Sequence, residues 1–131
     1  MSRNGEITLN FADSEARTFR LAIGQLLELQ DKCNAGPAEI ATRLQDGRWR
    51  VEDVTETIRL GLIGGGMSPA EANTLVRRYV HERPLLESIM YAQAIIMSAL
   101  IGDPKEQVGK KRKAAGKKPG SPPPPSTERV Q

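Results

Sequence analysis

Prolines and glycines divide this chain of 131 residues into short segments, and their placement constrains the fold more than any other feature. Pro37, Pro69 and Pro84 each stand at the start of a stretch in which apolar residues recur every three or four positions. Proline fits the first turn of a helix but breaks a helix interior, so each of these residues marks a helix start. The spacing therefore predicts several short helices and no long one.

Apolar periodicity predicts five helices: over 22–33, from Pro37 to a stop at Gly47, over about 51–63, from Ser68 onward, and over about 84–101. The fourth has the clearest start signal, because Ser68 and Glu71 have the spacing of a capping box. The residues predicted to form the apolar faces of the first four helices are Ile23, Leu26, Leu27 and Gln30, then Ile40, Ala41 and Leu44, then Val51, Val54, Ile58 and Leu62, and finally Ala72, Leu75, Val76, Tyr79 and Val80.

The N-terminal residues have a different period. Residues 6–11 (EITLNF) alternate strictly between polar and apolar, and residues 17–21 resume the alternation after a turn at 13–15. This pattern predicts a half-buried hairpin with Ile7, Leu9 and Phe11 on one face of the first strand and with Phe19 and Leu21 facing inward from the second. Because two strands alone are marginally stable in water, the hairpin is expected to pack on the helices or on another chain's sheet.

The C-terminal segment differs in composition from the rest of the chain. Residues 103–131 hold six of the nine prolines and carry 8 basic against 3 acidic side chains, a net charge of +5, whereas residues 1–102 carry 11 against 13, a net charge of −2. A segment with so few apolar side chains cannot pack a core. The predicted architecture is a mostly helical domain with an N-terminal β-hairpin (α+β) over 1–102 and a disordered basic tail over 103–131.

The basic tail invites a nucleic-acid interpretation. Its clustered cations are predicted to make electrostatic contacts, but no aromatic residue is interleaved among them to stack on bases. Nucleic-acid binding is therefore expected to be non-specific at most. The residues concerned are Lys110, Lys111, Arg112, Lys113, Lys117 and Lys118.

Membrane spans and disulfides are not expected. The most apolar stretch, 89–101, is shorter than the roughly 20 residues that a spanning helix needs, and the first residues lack the apolar run of a signal peptide. The single cysteine, Cys33, excludes an internal disulfide. These features suit a cytoplasmic protein.

Catalytic and metal-binding patterns are weak. His81 and Cys33 lie 48 positions apart, which fits neither a zinc site nor a Cys–His nucleophile pair, and we expect an exposed histidine and a buried cysteine. The glycines at 64–66 lack the lysine of a phosphate-binding loop and are better explained as a helix end. Trp49 is expected to pack over a helix junction, with an interface anchor as the alternative. The sequence predicts no catalytic, cofactor-binding or metal-binding residue and no enzyme.

The fifth helix is the most informative candidate. From Ile89 onward its apolar residues cover nearly the whole circumference, which is typical of a helix that is central to its fold or covered by a partner. Both interpretations remain open, because a domain of about 100 residues has difficulty burying one helix on every side. The residues predicted for a partner or self-association surface are Met90, Ile96, Met97, Leu100 and Ile101.

The order of these segments resembles a known family. It runs from the hairpin through the 23–30 helix and the Pro37 helix start to Gly47-Arg48-Trp49-Arg50, then 58–66 and the apolar last helix. This order is similar to that of small tail proteins of gene transfer agents and related prophages, a family of siphophage-type tail assembly chaperones. The likeness covers roughly residues 4–102, and its most specific part runs from Gly-Arg-Trp-Arg to the triple glycine.

The resemblance implies a role in virion morphogenesis in the bacterial host cell. Such chaperones coat the long, aggregation-prone tape measure protein and help to bring tail tube subunits to it, without catalytic residues or cofactors. The partners that it implies are the tape measure and tail tube proteins. Some members are described as tail tube proteins, but a tube wall is mainly β-sheet and this chain offers one hairpin. A tube subunit, a minor tail or connector protein, and a nucleic-acid-binding accessory protein are the alternatives.

Overall fold

The computed structural model describes residues 4–102, which form an N-terminal hairpin followed by five α-helices. This confirms the predicted α+β fold class, while the predicted tail at 103–131 lies outside the described residues. The elements are β1 Ile7–Asn10, β2 Ala16–Phe19, α1 Ile23–Cys33, α2 Pro37–Asp46, α3 Val51–Gly64, α4 Pro69–Val76 and α5 Leu86–Ile101, with a π-helical turn Arg77–His81 between the last two helices.

Two of the three prolines begin helices as predicted. Pro37 and Pro69 occupy the first turns of α2 and α4, and the Ser68 hydroxyl accepts a hydrogen bond from the Glu71 amide (3.2 Å). Pro84 stands two residues before α5, and its carbonyl accepts a hydrogen bond from the Glu87 amide (3.1 Å) in the first turn of that helix. The fifth helix is therefore slightly shorter than the predicted 84–101.

The hairpin packs on the helices through an aromatic cluster. β1 and β2 are antiparallel with Ile7 opposite Phe19, and Phe11, Phe19 and Leu21 are buried as predicted. The Phe11 ring lies edge-on to the rings of Phe19, Tyr79 and Tyr91, with centroids 5.2–6.3 Å apart. The helices of the same chain thus supply the support that two strands need.

The third helix is the centre of the domain. It packs against α1, α4, α5 and β2, so its middle is buried on most sides. Val54, Ile58 and Leu62 are buried as predicted. Val51 is an exception, since it lies exposed in the first turn of the helix.

The apolar face predicted for α1 is partly wrong. Ile23 and Leu27 are 71% and 58% exposed, whereas Leu29 and Cys33 are buried against the rest of the domain. Both sets have helical spacing, so periodicity alone does not choose between them. The choice depends on which face meets α3, which is a tertiary contact.

The triple glycine ends α3, as predicted, but only Gly66 has a positive φ (115°). Gly64 and Gly65 instead allow the end of α3 to pack closely against the end of β2. A Cβ atom at Gly64 would lie 1.9 Å from the Arg20 carbonyl oxygen, and one at Gly65 would lie 2.0 Å from that of Thr18. Glycine is therefore required where the end of the central helix meets the strand.

Candidate protein-binding surface

The fifth helix has one buried side and one exposed side. Its buried residues face α2, α3 and the hairpin, and they account for about half of its circumference. The same helix is thus part of the core and part of the surface, and coverage of its exposed side by a partner stays a prediction. The buried residues of α5 are Ser88, Ile89, Ala92, Ile95, Ile96 and Ser98.

The exposed side of α5 carries an apolar stripe, which we call the apolar seam. Leu86 and Met90 are 75% and 74% exposed, Leu100 and Ile101 are also exposed, and Met97 is half-buried. These five residues, with Gln93 between them, follow one side of the helix because they recur at intervals of three or four. The seam contains four of the five residues predicted from the sequence.

Ile96 does not belong to this surface. Its side chain is fully buried (0% exposed), so it cannot contact a partner while the domain is folded. Conversely, Leu86 is an exposed apolar residue of α5 that the sequence prediction missed, because it precedes the apolar run that begins at Ile89. The signal that could have found it is its position four residues before Met90 on the same helical face.

The seam has the spacing of a coiled-coil interface. Leu86, Met90, Gln93, Met97 and Leu100 are separated by four, three, four and three residues. This alternation is the heptad pattern that keeps one stripe of a helix facing a second helix. Over 15 residues at about 1.5 Å each the stripe is roughly 22 Å long. Its chemistry is burial of apolar area and not catalysis.

A second exposed apolar pair lies on α1. Ile23 and Leu27 occupy the first and fifth positions of that helix, as Leu86 and Met90 do in α5. The pair on α1 is not extended by further exposed apolar residues, since Asp31 and Asn34 follow. Single exposed apolar side chains are normal on protein surfaces, so the longer seam is the stronger candidate.

A buried ion pair stabilises the junction of α2 and α3. The Arg43 guanidinium donates to both carboxylate oxygens of Asp53 (2.9 and 2.7 Å), and Asp53 also accepts the Arg50 amide (2.9 Å). Both charged residues are almost completely buried. The hydrogen bond to Asp53 raises the pKa of the Arg43 guanidinium, which therefore stays protonated. Sequence reasoning missed this pair, because ten residues and a loop separate its members.

Cys33 lies beside this ion pair and is buried, as predicted. Burial and the neighbouring Asp53 carboxylate raise the pKa of its thiol to about 12, so the thiolate is almost absent at neutral pH. A nucleophilic or metal-binding cysteine needs the opposite shift. Trp49 is half-buried against the core, in agreement with its predicted place at the helix junction.

A charged groove of about 500 Å³ lies between α1, α3 and the π-helical turn. Arg59 forms ion pairs there with Glu56 (2.6 Å) and Glu28 (3.3 Å), and these partners raise the pKa of its guanidinium. His81 is exposed at this groove, as predicted. Residues 4–102 contain no cluster of three or more His, Cys, Asp or Glu side chains that could hold a metal ion.

Two further predictions concern the basic tail and membrane-spanning helices. The six basic tail residues, Lys110 to Lys113 with Lys117 and Lys118, lie outside the described residues, so their electrostatic contacts stay predictions. Within the described part, no helix is long and apolar enough to cross a membrane.

Comparison with known families gave one match. A family model described as phage tail tube protein, GTA-gp10, matches residues 4–102, which are all the residues that the structure describes. The chain belongs to this family. The match supports a phage or gene-transfer-agent tail protein, which confirms the resemblance at that level and not at the level of a chaperone. Neither the search of curated proteins nor that of solved structures gave a match.

Proposed function

We propose that this protein is a tail assembly chaperone whose apolar seam covers an apolar helical segment of the tape measure protein while the tail is built. The observation that carries the proposal is the seam itself: an exposed apolar stripe on a helix whose opposite side is firmly held in the core. Membership of a phage tail protein family supports a role in tail assembly.

The seam favours a helix as its ligand. A heptad stripe packs best against a second helix that crosses at about 20°, because apolar side chains of each helix then fill the gaps of the other. Recognition of an amphipathic helix by an apolar surface is a common mode of binding. Met90 and Met97 add adaptability, since methionine side chains fit partners of different shapes. A chaperone that covers successive segments of a long helical protein needs this tolerance.

The alternative is a subunit of the tail tube, and the family description favours it directly. The fold weighs against it, because the described residues contain one sheet of only two four-residue strands. A tube wall made mainly of β-sheet would need more strands than this chain supplies between residues 4 and 102.

A chaperone and a tube subunit differ in whether the protein is present in the finished particle. A chaperone leaves before the tail is complete, whereas a tube subunit is present in many copies. Quantitative mass spectrometry of purified particles should therefore detect the tail proteins but almost none of this chain. A copy number comparable to that of the most abundant tail protein would contradict the chaperone role and establish the tube subunit.

A further inference from the structure

The apolar seam is nearly the same in both directions along α5. Counted from Gln93, leucines lie at seven residues before (Leu86) and seven after (Leu100), and methionines lie three before (Met90) and four after (Met97). A surface with this symmetry is complementary to a second copy of itself that runs the opposite way. Isologous dimers have this property, since the same patch serves both subunits.

We propose that in the free protein a second copy of this chain occupies the seam, with the two α5 helices antiparallel about a two-fold axis near Gln93. Leu86 of one copy then lies opposite Leu100 of the other, and Met90 lies opposite Met97. Each pair of facing residues in this dimer is apolar, except the central pair of Gln93 side chains. The inference rests on the seam alone and holds whether or not the tape measure protein is its later partner.

The central glutamine fits this arrangement. Gln93 Nε2 donates a hydrogen bond to the Leu44 carbonyl at the end of α2 (3.0 Å), so its amide group is held within its own chain. A buried polar group without a partner would disfavour the interface, and this bond reduces that cost. A single polar residue within an apolar stripe also favours one register over the others.

The size of the seam sets the strength of the dimer. Its five apolar side chains form one contiguous patch, in which Leu86 and Met90 are 75% and 74% exposed, and such patches mark interaction sites. Stable interfaces bury about 800 Å² and roughly 20–30 residues per partner, so one built on five apolar side chains falls among weak and transient complexes. The dimer should therefore form at micromolar concentrations and shield the seam, yet remain weak enough for another helix to displace the second copy.

Cysteine cross-linking of the full chain tests the geometry without any partner protein. In the antiparallel dimer, Gln93→Cys places the two new thiols near the axis, where they should form a disulfide under mild oxidation. Leu86→Cys places them about 20 Å apart, at about 1.5 Å per residue, and should not form a disulfide between the two copies. The native Cys33 is buried, with its pKa raised to about 12, so it should not cross-link in the wild-type chain.

Sedimentation equilibrium measures the association itself. Wild type should dimerise reversibly, and L86E/M90E should raise the dissociation constant at least tenfold, because each dimer would then bury four carboxylates. I23E/L27E changes two exposed residues at the same helix positions of α1, and this variant should dimerise as wild type does. A wild type that stays monomeric at several hundred micromolar, or cross-linking of Leu86→Cys as strong as that of Gln93→Cys, would overturn the inference.

Discussion

The single residues that matter most in this fold contribute to packing and not to a reactive site. Gly64 and Gly65 allow the end of the central helix to lie against β2, where any side chain would collide with a carbonyl oxygen. Arg43 and Asp53 lock α2 to α3 in the interior. Both features fall within or beside the segment from Gly-Arg-Trp-Arg to the triple glycine, on which the family resemblance depends most. Packing within the fold therefore accounts for the glycines and the ion pair of that segment.

Gly65→Ala should be strongly destabilising. The added Cβ would lie 2.0 Å from the Thr18 carbonyl oxygen, which belongs to backbone and cannot rotate away. We expect a loss of about 3 kcal/mol or more in the free energy of unfolding, measured by urea denaturation with circular dichroism.

Gly24→Ala is the matched control for Gly65→Ala, because nothing lies within 4 Å of its added Cβ and the residue is helical. It should raise stability by about 0.5–1 kcal/mol, as alanine is the better helix former. Equal stability of the two variants would show that the close approach of α3 to β2 does not hold in solution.

At the scale of elements, sequence periodicity predicted which segments are helical better than it predicted which faces are buried. Alternation and helical spacing identified the hairpin and all five helices, since local patterns determine these elements. The inner face of α1 was predicted wrongly, because Ile23 and Leu27 compete with Leu29 and Cys33 for the same role. Only the packing of α1 on α3 decides between them.

In the fifth helix, too, the sequence pattern did not predict correctly which residues are buried. Its excess of apolar residues predicted a surface in addition to a core, and the exposed seam is where such a surface would be. Ile96 was misplaced because a helix that is apolar all round gives no polar face from which to determine its orientation. Contacts of α5 with α2 and α3 determine that orientation, and they involve residues that are distant in sequence.

Alanine substitutions along α5 should separate core from surface. Ile96→Ala removes a fully buried side chain and should lower the free energy of unfolding by about 2–5 kcal/mol. Met90→Ala removes an exposed side chain and should change it by no more than about 0.5 kcal/mol. Thermal and urea denaturation of both variants measure the difference. A similar loss in the two would contradict the orientation of α5.

At the scale of the whole molecule, the described domain is a scaffold that presents one apolar stripe. The hairpin, the central helix and the buried ion pair hold α5 in place, while its outer side remains available for another helix. The family match places the chain among phage tail proteins, and the seam supports the more specific proposal of a chaperone. In this account, the same surface alternates between a second copy and the tape measure protein.

Co-expression with the tape measure protein tests the central claim most directly. The fraction of tape measure in the soluble lysate, and its co-purification with this chain, are measured for wild type, L86E/M90E and I23E/L27E. Wild type and I23E/L27E should keep the tape measure soluble and bound, whereas L86E/M90E should fold normally and lose both effects, because its seam carries two carboxylates. Equal solubilisation by a folded L86E/M90E, or none by wild type, would contradict the proposed role of the seam.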